Sequence, residues 1–178
     1  MSTLARRLVA VHEALDRAGF PHAFGGAIAL AYCTHEPRAT RDLDVNVFVP
    51  PEQADAVLDA LPHGVTARAR DRVVARRDGQ VRVWWEDTPI DLFFDTHEFH
   101  HGTAAGVVMV PFEEITIPVL GCEALLVFKV LFNRTRDWAD IEATLEAGTV
   151  DGRRVLDAVR RLVGPSDPAV VRLAALVG

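Results

Sequence analysis

Apolar residues at Leu4, Leu8, Val11, Leu15 and Ala18 recur every three or four positions and stop at Gly19. This spacing predicts an opening amphipathic helix with Arg6, Arg7, Glu13 and Asp16 on its polar side. Residues 20–24 lead into Gly25-Gly26, and the compact apolar run at 27–32 predicts a helix beginning directly after the diglycine. A loop over 34–40 follows, then a strand over 43–49. Pro51-Glu52 opens a helix that runs to about residue 61, with proline in its first turn, and Pro62-His63-Gly64 ends it.

Residues 65–69, 73–76, 81–85 and 90–94 read as successive strands, with Asp78-Gly79 as a hairpin turn and Asp87-Thr88-Pro89 as a second break. A His-rich polar loop spans 97–102. Strand-like runs at 107–110 and 115–119 each adjoin a proline. Gly121 marks a change of period, and helices are predicted over 122–132, 136–146, 153–162 and 168–176, broken at Gly148 and Gly164-Pro165. The expected organisation is an α/β core over residues 1–120 and a C-terminal helical region over 121–178 packed on that core.

Composition narrows this only modestly. With 178 residues, 49% of them hydrophobic, the chain can bury a sizeable core. The formal net charge of −6 argues against broad nonspecific nucleic-acid binding. Neither a signal peptide nor a membrane span is expected, so the expected location is cytoplasmic and no membrane partner is foreseen. Cys33 and Cys122 are the two cysteines; they are far apart and lack ligand spacing. A structural zinc site and a disulfide are therefore not expected, and both are read as small core residues.

Candidate chemistry concentrates on the predicted strands. Asp42 and Asp44 lie two apart and project from one face, while Leu43, Val45, Val47 and Val49 share the other. Asp91 sits among Ile90, Leu92, Phe93 and Phe94. Carboxylates on otherwise apolar strands need a partner, and a divalent cation is one. Gly25-Gly26 at a helix start offers backbone N–H groups to an anion. Nucleotidyl transfer consists largely of aligning the nucleophile and neutralising charge, so three acids and a phosphate cradle match its needs.

The run Gly25-Gly26, apolar helix, Pro37-Arg38-Ala39-Thr40-Arg41-Asp42-Leu43-Asp44 resembles the signature of the DNA polymerase β-like nucleotidyltransferase superfamily. Lys129, Arg134, Arg136-Asp137-Trp138 and Asp140-Ile141 are similar to the helical motif of its AbiEii/MenT-type toxin-like branch, which includes bacterial toxins that add nucleotides to tRNA. The resemblance covers roughly residues 20–145. It implies an α/β (α+β) nucleotidyltransferase fold, a mixed sheet flanked by helices with a C-terminal helical segment, and metal-dependent transfer of an NMP from an NTP to an acceptor hydroxyl.

By the same resemblance Asp42, Asp44 and Asp91 are the metal ligands and catalytic acids, Lys129 and Asp137 further catalytic residues, and Gly25, Gly26, Arg38, Thr40 and Lys129 the nucleotide-binding set. Two Mg²⁺ ions, or Mn²⁺ in their place, are the implied cofactors. The implied partners are an NTP, tRNA as acceptor and a cognate antitoxin. The chain departs from the family in a longer spacer between Gly26 and Asp42 and in Gly26 itself, where many relatives carry serine. A small hydroxylated acceptor such as an aminoglycoside is the alternative substrate, and a non-catalytic binding protein retaining the fold is the alternative class.

Several residues carry a second reading. Lys129 lies in an apolar segment and reads equally as a snorkelling surface lysine. Asp137 and Asp140 fit first-turn helix acids, with Thr135 as cap. Arg38 and Arg41 flank the acids as phosphate contacts or as partners of surface carboxylates. His97, His100 and His101 read as a solvated loop rather than a zinc cluster. Trp84 and Trp85 read as core. Arg68, Arg70, Arg72, Arg76, Arg77 and Arg82 would form a surface for an anionic ligand if they lined one sheet face, which is the feature that favours RNA.

Overall fold

A computed structural model describes residues 2–178. Helix α1 (Thr3–Arg17) is followed by strand β1 (His22–Phe24), helix α2 (Gly26–Thr34) and strand β2 (Leu43–Val47). A 3₁₀ turn (Pro51–Gln53) leads into α3 (Ala54–Ala60), then β3 (Val65–Thr66), α4 (Ala69–Asp78), β4 (Gln80–Trp85) and β5 (Thr88–Phe94). The remainder is α5 (Glu98–Thr103), β6 (Val108–Phe112), β7 (Ile115–Val119), α6 (Cys122–Phe132), α7 (Thr135–Glu146), α8 (Gly152–Val163) and α9 (Pro168–Val177).

The strands form one seven-stranded mixed sheet in the order β3-β4-β5-β2-β1-β7-β6. β2 runs parallel to β5 and antiparallel to β1, and β1 runs parallel to β7. Strict alternation fixes the register of the centre: Leu43, Val45, Val47, Ile90, Leu92 and Phe94 are at most 1% exposed, and the residues between them on β5 are only half-buried. Each such side chain contributes on the order of 1.5–3 kcal/mol by burial, so the pairing is held by one face.

Two compact units divide the chain, one comprising residues up to Ile28 with Ala39–Leu120, the other Ala29–Arg38 with Gly121–Gly178. The first holds the whole sheet. The second is helical, and its core includes Leu126, Val130, Trp138, Ile141, Val155, Val159 and Leu173. Within it Cys33 and Cys122 are joined as a disulfide with a Cα–Cα distance of 5.5 Å. This corrects the expectation of two unlinked core thiols: helical folding brings residues 89 positions apart into bonding range, which spacing alone does not reveal.

The segment after β3 also differs from its predicted form. Residues 69–78 are helical, not a strand, and only Ala75 of that helix is buried. The β-branched pair Val73-Val74 is outweighed by arginine and alanine neighbours with higher helix propensity and by Asp71, which accepts a hydrogen bond from Arg68 N at 2.8 Å. Gly79, at φ 66°, terminates this helix in the left-handed conformation and is not the turn of a hairpin. The tight turn lies at Glu86-Asp87, joining β4 to β5.

The His-rich segment is helix α5 and not a solvated loop. Its His100 is buried and hydrogen-bonds the Phe94 carbonyl at 2.8 Å, while His101 pairs with Asp95 and the His97 ring accepts from Phe99 N. Trp84 is 46% exposed and Trp85 half-buried, against the expectation of two core residues; Trp84 shares the face of β4 that carries exposed Gln80 and Arg82, opposite buried Val81 and Val83.

Candidate active site

Two of the predicted acids are set side by side by strand register, with the third two residues away in sequence. Asp44 on β2 stands directly beside Asp91 on parallel β5, and Asp91 stands directly opposite Arg82 on antiparallel β4. On the other side of Asp44, its carbonyl accepts a hydrogen bond from Gly25 N at 2.8 Å, just past the end of β1. Arg82, Asp91 and Asp44 thus form a row across three neighbouring strands, with Gly25 beside it just past β1. Asp42 lies two residues before Asp44, and the Thr40 hydroxyl donates to its Oδ1. Asp42, Asp44 and Asp91 are all half-buried, accessible enough to meet a ligand and dry enough for a cation beside them to count.

The diglycine is shaped by the same acids. Gly25 has room only for hydrogen: a Cβ there would lie 2.9 Å from the Asn46 amide nitrogen and 3.3 Å from a Leu120 methyl. Gly26 opens α2 at φ 48°, and a Cβ there would fall 1.7 Å from the Asp44 Oδ2. The Asp44 carboxylate therefore lies against the first residue of the helix, where the unpaired N–H groups and the helix dipole favour negative charge. Serine, with a side chain and a positive φ, does not fit this arrangement, which accounts for glycine at the position.

Positive charge is already supplied to the acid row. Arg82 donates from Nε to Asp91 Oδ1 at 2.7 Å and from Nη2 to Oδ2 at 2.6 Å. These bonds raise its pKa most, burial works against them, and the charges of Asp91, Asp42 and Asp44 add to the rise. Among the described residues no three His, Cys, Asp or Glu side chains are gathered tightly enough to hold a metal ion. The donor types nevertheless fit a hard divalent cation: Asp44 and Asp91 stand side by side on adjacent strands, Asp42 is two residues from Asp44, and all three offer oxygen.

The second unit carries its own polar cluster. Lys129 on α6 is 6% exposed and donates from Nζ to Asp140 Oδ2 at 2.6 Å, with Asp137 Oδ1 at 3.6 Å. Arg38 grips the same Asp140 with two hydrogen bonds, of 2.7 and 3.0 Å. Asp137 accepts from Arg134 N at 3.2 Å and from Arg134 Nε at 2.7 Å, so Arg134 and not Thr135 precedes the helix as its cap position. Burial pushes the Asp137 carboxyl up, but the hydrogen bonds and charge of Arg134, with Lys129, outweigh it and hold the pKa below its ordinary value. Lys129 is therefore a buried, paired cation and not a snorkelling surface residue.

A family model described as nucleotidyl transferase AbiEii toxin, type IV TA system, matches residues 7–169. The chain belongs to the AbiEii nucleotidyltransferase family. Its fold is shared with solved structures of low identity. A crystal structure of ANT(2'')-Ia in complex with adenylyl-2''-tobramycin gives a TM-score of 0.64 at 13% identity, covering 90% of this chain and 97% of that one. A solution structure of the antibiotic-resistance factor ANT(2'')-Ia gives 0.63 at 15%, covering 98% and 95%. An antigenic nucleotidyltransferase-like protein from Paracoccidioides brasiliensis gives 0.57 at 16%, covering 99% and 94%. No curated protein matches the sequence.

As an AbiEii nucleotidyltransferase the protein is an enzyme that uses a nucleotide substrate, and the toxin–antitoxin system of its family implies an antitoxin partner. Nucleotidyltransferases of this kind generally use divalent metal ions. No helix among the described residues is long and apolar enough to cross a membrane.

The structure groups Gly25, Gly26, Thr40, Asp42, Asp44 and Asp91 in the first unit, and Arg38, Lys129 and Asp137 in the second. The structure gives partners to two residues of this AbiEii chain that the sequence leaves unpaired: Arg82 bonds Asp91, and Asp140 is shared by Lys129 and Arg38. The sequence does carry a signal for Arg82, because a hairpin centred between Glu86 and Asp87 pairs residue 82 with 91. Asp140 follows Asp137 at helical spacing but gives no sign of its partners.

The arginine run does not line a sheet face. Arg72 pairs with Asp59 at 2.6 Å and Arg76 with Asp55, Arg77 contacts Asp78 at 2.6 Å, and Arg70 lies 3.5 Å from Asp71. Much of the helix's charge is therefore neutralised, by Asp55 and Asp59 of α3 and by its own Asp71 and Asp78.

Proposed function

We propose that this AbiEii enzyme transfers a nucleoside monophosphate from an Mg²⁺-bound NTP to an acceptor hydroxyl, with Asp42, Asp44 and Asp91 as the metal-holding acids. The observation that carries this reading is the strand register that sets Asp44 beside Asp91, with Asp42 two residues away. Mg²⁺ bound there would activate the acceptor hydroxyl and take up charge on the departing pyrophosphate. Thr40 fixes the Asp42 carboxylate through its hydroxyl, and the start of α2 supports that of Asp44. Gly25 and Gly26 are assigned to backbone contact with the triphosphate on the strength of the family resemblance; their lack of side chains is what lets Asn46, Leu120 and the Asp44 carboxylate pack against the helix start. Lys129 and Asp137 are proposed catalytic contributors of the second unit on the strength of the family resemblance; Arg38, held by Asp140, is assigned to supporting Lys129's partner rather than to nucleotide contact.

The proposed acceptor is tRNA, in keeping with a toxin family. A second reading, a small cationic hydroxylated acceptor, is favoured by one observation: the α4 arginines that would have drawn RNA are engaged by Asp55, Asp59, Asp71 and Asp78, in a chain of net charge −6. The deciding experiment incubates the protein with Mg²⁺ and each α-labelled NTP, offering total tRNA in one arm and aminoglycosides in the other, beside Asp42→Asn and Asp44→Asn controls. Label on RNA that vanishes in the controls supports the first reading, and label on the small molecule supports the second. Absence of label in both arms sinks the transferase assignment to these acceptors.

A further inference from the structure

We propose that Arg82 is a built-in counter-ion of the acid row, which a divalent cation must displace from Asp91 before the site can load. The inference rests on the reading of Asp42, Asp44 and Asp91 as the metal-holding acids and goes beyond it by giving a role to a residue outside that set.

The geometry is specific. Both Asp91 oxygens are engaged by one guanidinium, in the two-pronged arrangement that makes arginine–carboxylate contacts strong. The pairing is fixed by cross-strand register, since Arg82 and Asp91 are directly opposite on β4 and β5. Asp42 and Asp44 act on the same guanidinium. Asp44 and Asp91, side by side in register, repel one another in a half-dry setting, and the guanidinium on Asp91 relieves that repulsion.

The contact is also built to be released. The Arg82 side chain is about half exposed, at 51%, while Asp91 is at 17%, so the guanidinium can swing into solvent on its long stem while the carboxylate stays in place. A cation that takes over Asp91 frees the guanidinium, whose donors match phosphate oxygens as well as they match a carboxylate. Loading of metal alone is then opposed by the standing ion pair, whereas metal arriving with a triphosphate brings a new anionic partner for the released arginine. Arg82 thereby couples occupancy of the acids to the presence of nucleotide.

The test titrates Mn²⁺ into the full-length protein without nucleotide, following free Mn²⁺ by electron paramagnetic resonance, for the wild type, Arg82→Gln, Arg82→Lys and Asp44→Asn. Arg82→Gln is expected to bind Mn²⁺ about tenfold or more tightly than wild type, the scale of losing a charge-assisted hydrogen-bonded competitor. Arg82→Lys, which keeps a cation but not the two-pronged grip, is expected to fall between them. It also serves if Arg82→Gln fails a thermal-melt check of folding. Equal or weaker Mn²⁺ binding by a folded Arg82 variant, with Asp44→Asn still abolishing binding, overturns the inference and leaves the metal site standing. Mn²⁺ binding that Asp44→Asn does not weaken, or no binding by any form, overturns the reading of the acids and the inference with it.

Discussion

Arg38 and Lys129 share a single carboxylate, that of Asp140, in the helical unit. Two cations on one nearly solvent-free acid make a polar network in which each member depends on the others. Asp140→Ala leaves Lys129 buried without its nearest partner and is expected to cost about 3–5 kcal/mol, the range for breaking a buried ion pair. Urea unfolding measures it. A loss under about 1 kcal/mol would show that the network contributes little.

Replacement of Asp42, Asp44 or Asp91 by asparagine keeps shape and removes charge. Each is expected to lower nucleotide incorporation by about 10²–10³-fold or more, as loss of a charge-stabilising group does, while thermal stability changes little. Single-turnover rates with labelled NTP provide the check. An unaffected rate for Asp44→Asn would exclude it from the chemistry.

Gly26 combines a positive φ with a Cβ position already filled by the Asp44 carboxylate. Gly26→Ala is expected to destabilise the fold by about 1–2 kcal/mol from the backbone conformation alone and to displace Asp44. A serine there meets the same obstacle. Denaturant midpoints, with Mn²⁺ affinity as the local reporter, distinguish the two effects. A variant with wild-type stability and affinity would contradict the packing described.

Two buried histidines give stability a defined pH dependence. Burial lowers the pKa of His22 from 6.5; its hydrogen bond to the Phe20 carbonyl opposes this, His12 adds to it and Asp16 opposes it. Burial likewise lowers His100, against its bond to the Phe94 carbonyl and the charge of Asp95. Because both are harder to protonate when folded, the unfolded chain binds more protons below 6.5, and their contribution is complete above that value and lost as pH falls below it. Asp137, held below 3.8, adds a second loss at lower pH, as its carboxylate becomes protonated. Melting temperature is expected to fall between about pH 7.5 and about pH 5.5, less steeply in a folded His22→Gln variant. An identical slope in that variant would remove His22 as a cause.

The Cys33–Cys122 bond closes a long loop, so reduction or Cys33→Ala is expected to cost about 2–4 kcal/mol. Urea unfolding with and without reductant, together with mass measurement of free thiols, tests this. Equal midpoints in both conditions would show that the bond does not contribute.

Long periodic segments are legible in the sequence alone. The C-terminal helices fall within one or two residues of their predicted bounds, because Gly121, Gly148 and Gly164-Pro165 punctuate a clear helical period. The strand that carries Asp44, with Leu43, Val45 and Val47 buried, follows from the apolar run. The segment at 69–78 is not legible, since Val73-Val74 imitates a strand and the helix buries only Ala75, leaving no apolar stripe to read. The strands that carry Arg82 and Asp91 are legible on either side of the break at 87–89, but the exact turn at Glu86-Asp87, which sets residue 82 opposite 91, is not. Lys129 keeps two readings because an apolar neighbourhood does not reveal whether a carboxylate faces it.

The row of Arg82, Asp91 and Asp44 occupies the pleat opposite the one that fills the core. A slip of one residue between β2 and β5 would turn Asp44 or Asp91 inward and Val45 or Leu92 outward, stranding a charge where no cation waits. Such a misfolded sheet is penalised twice, so the alignment that assembles the chemistry is also the one that seals the interior.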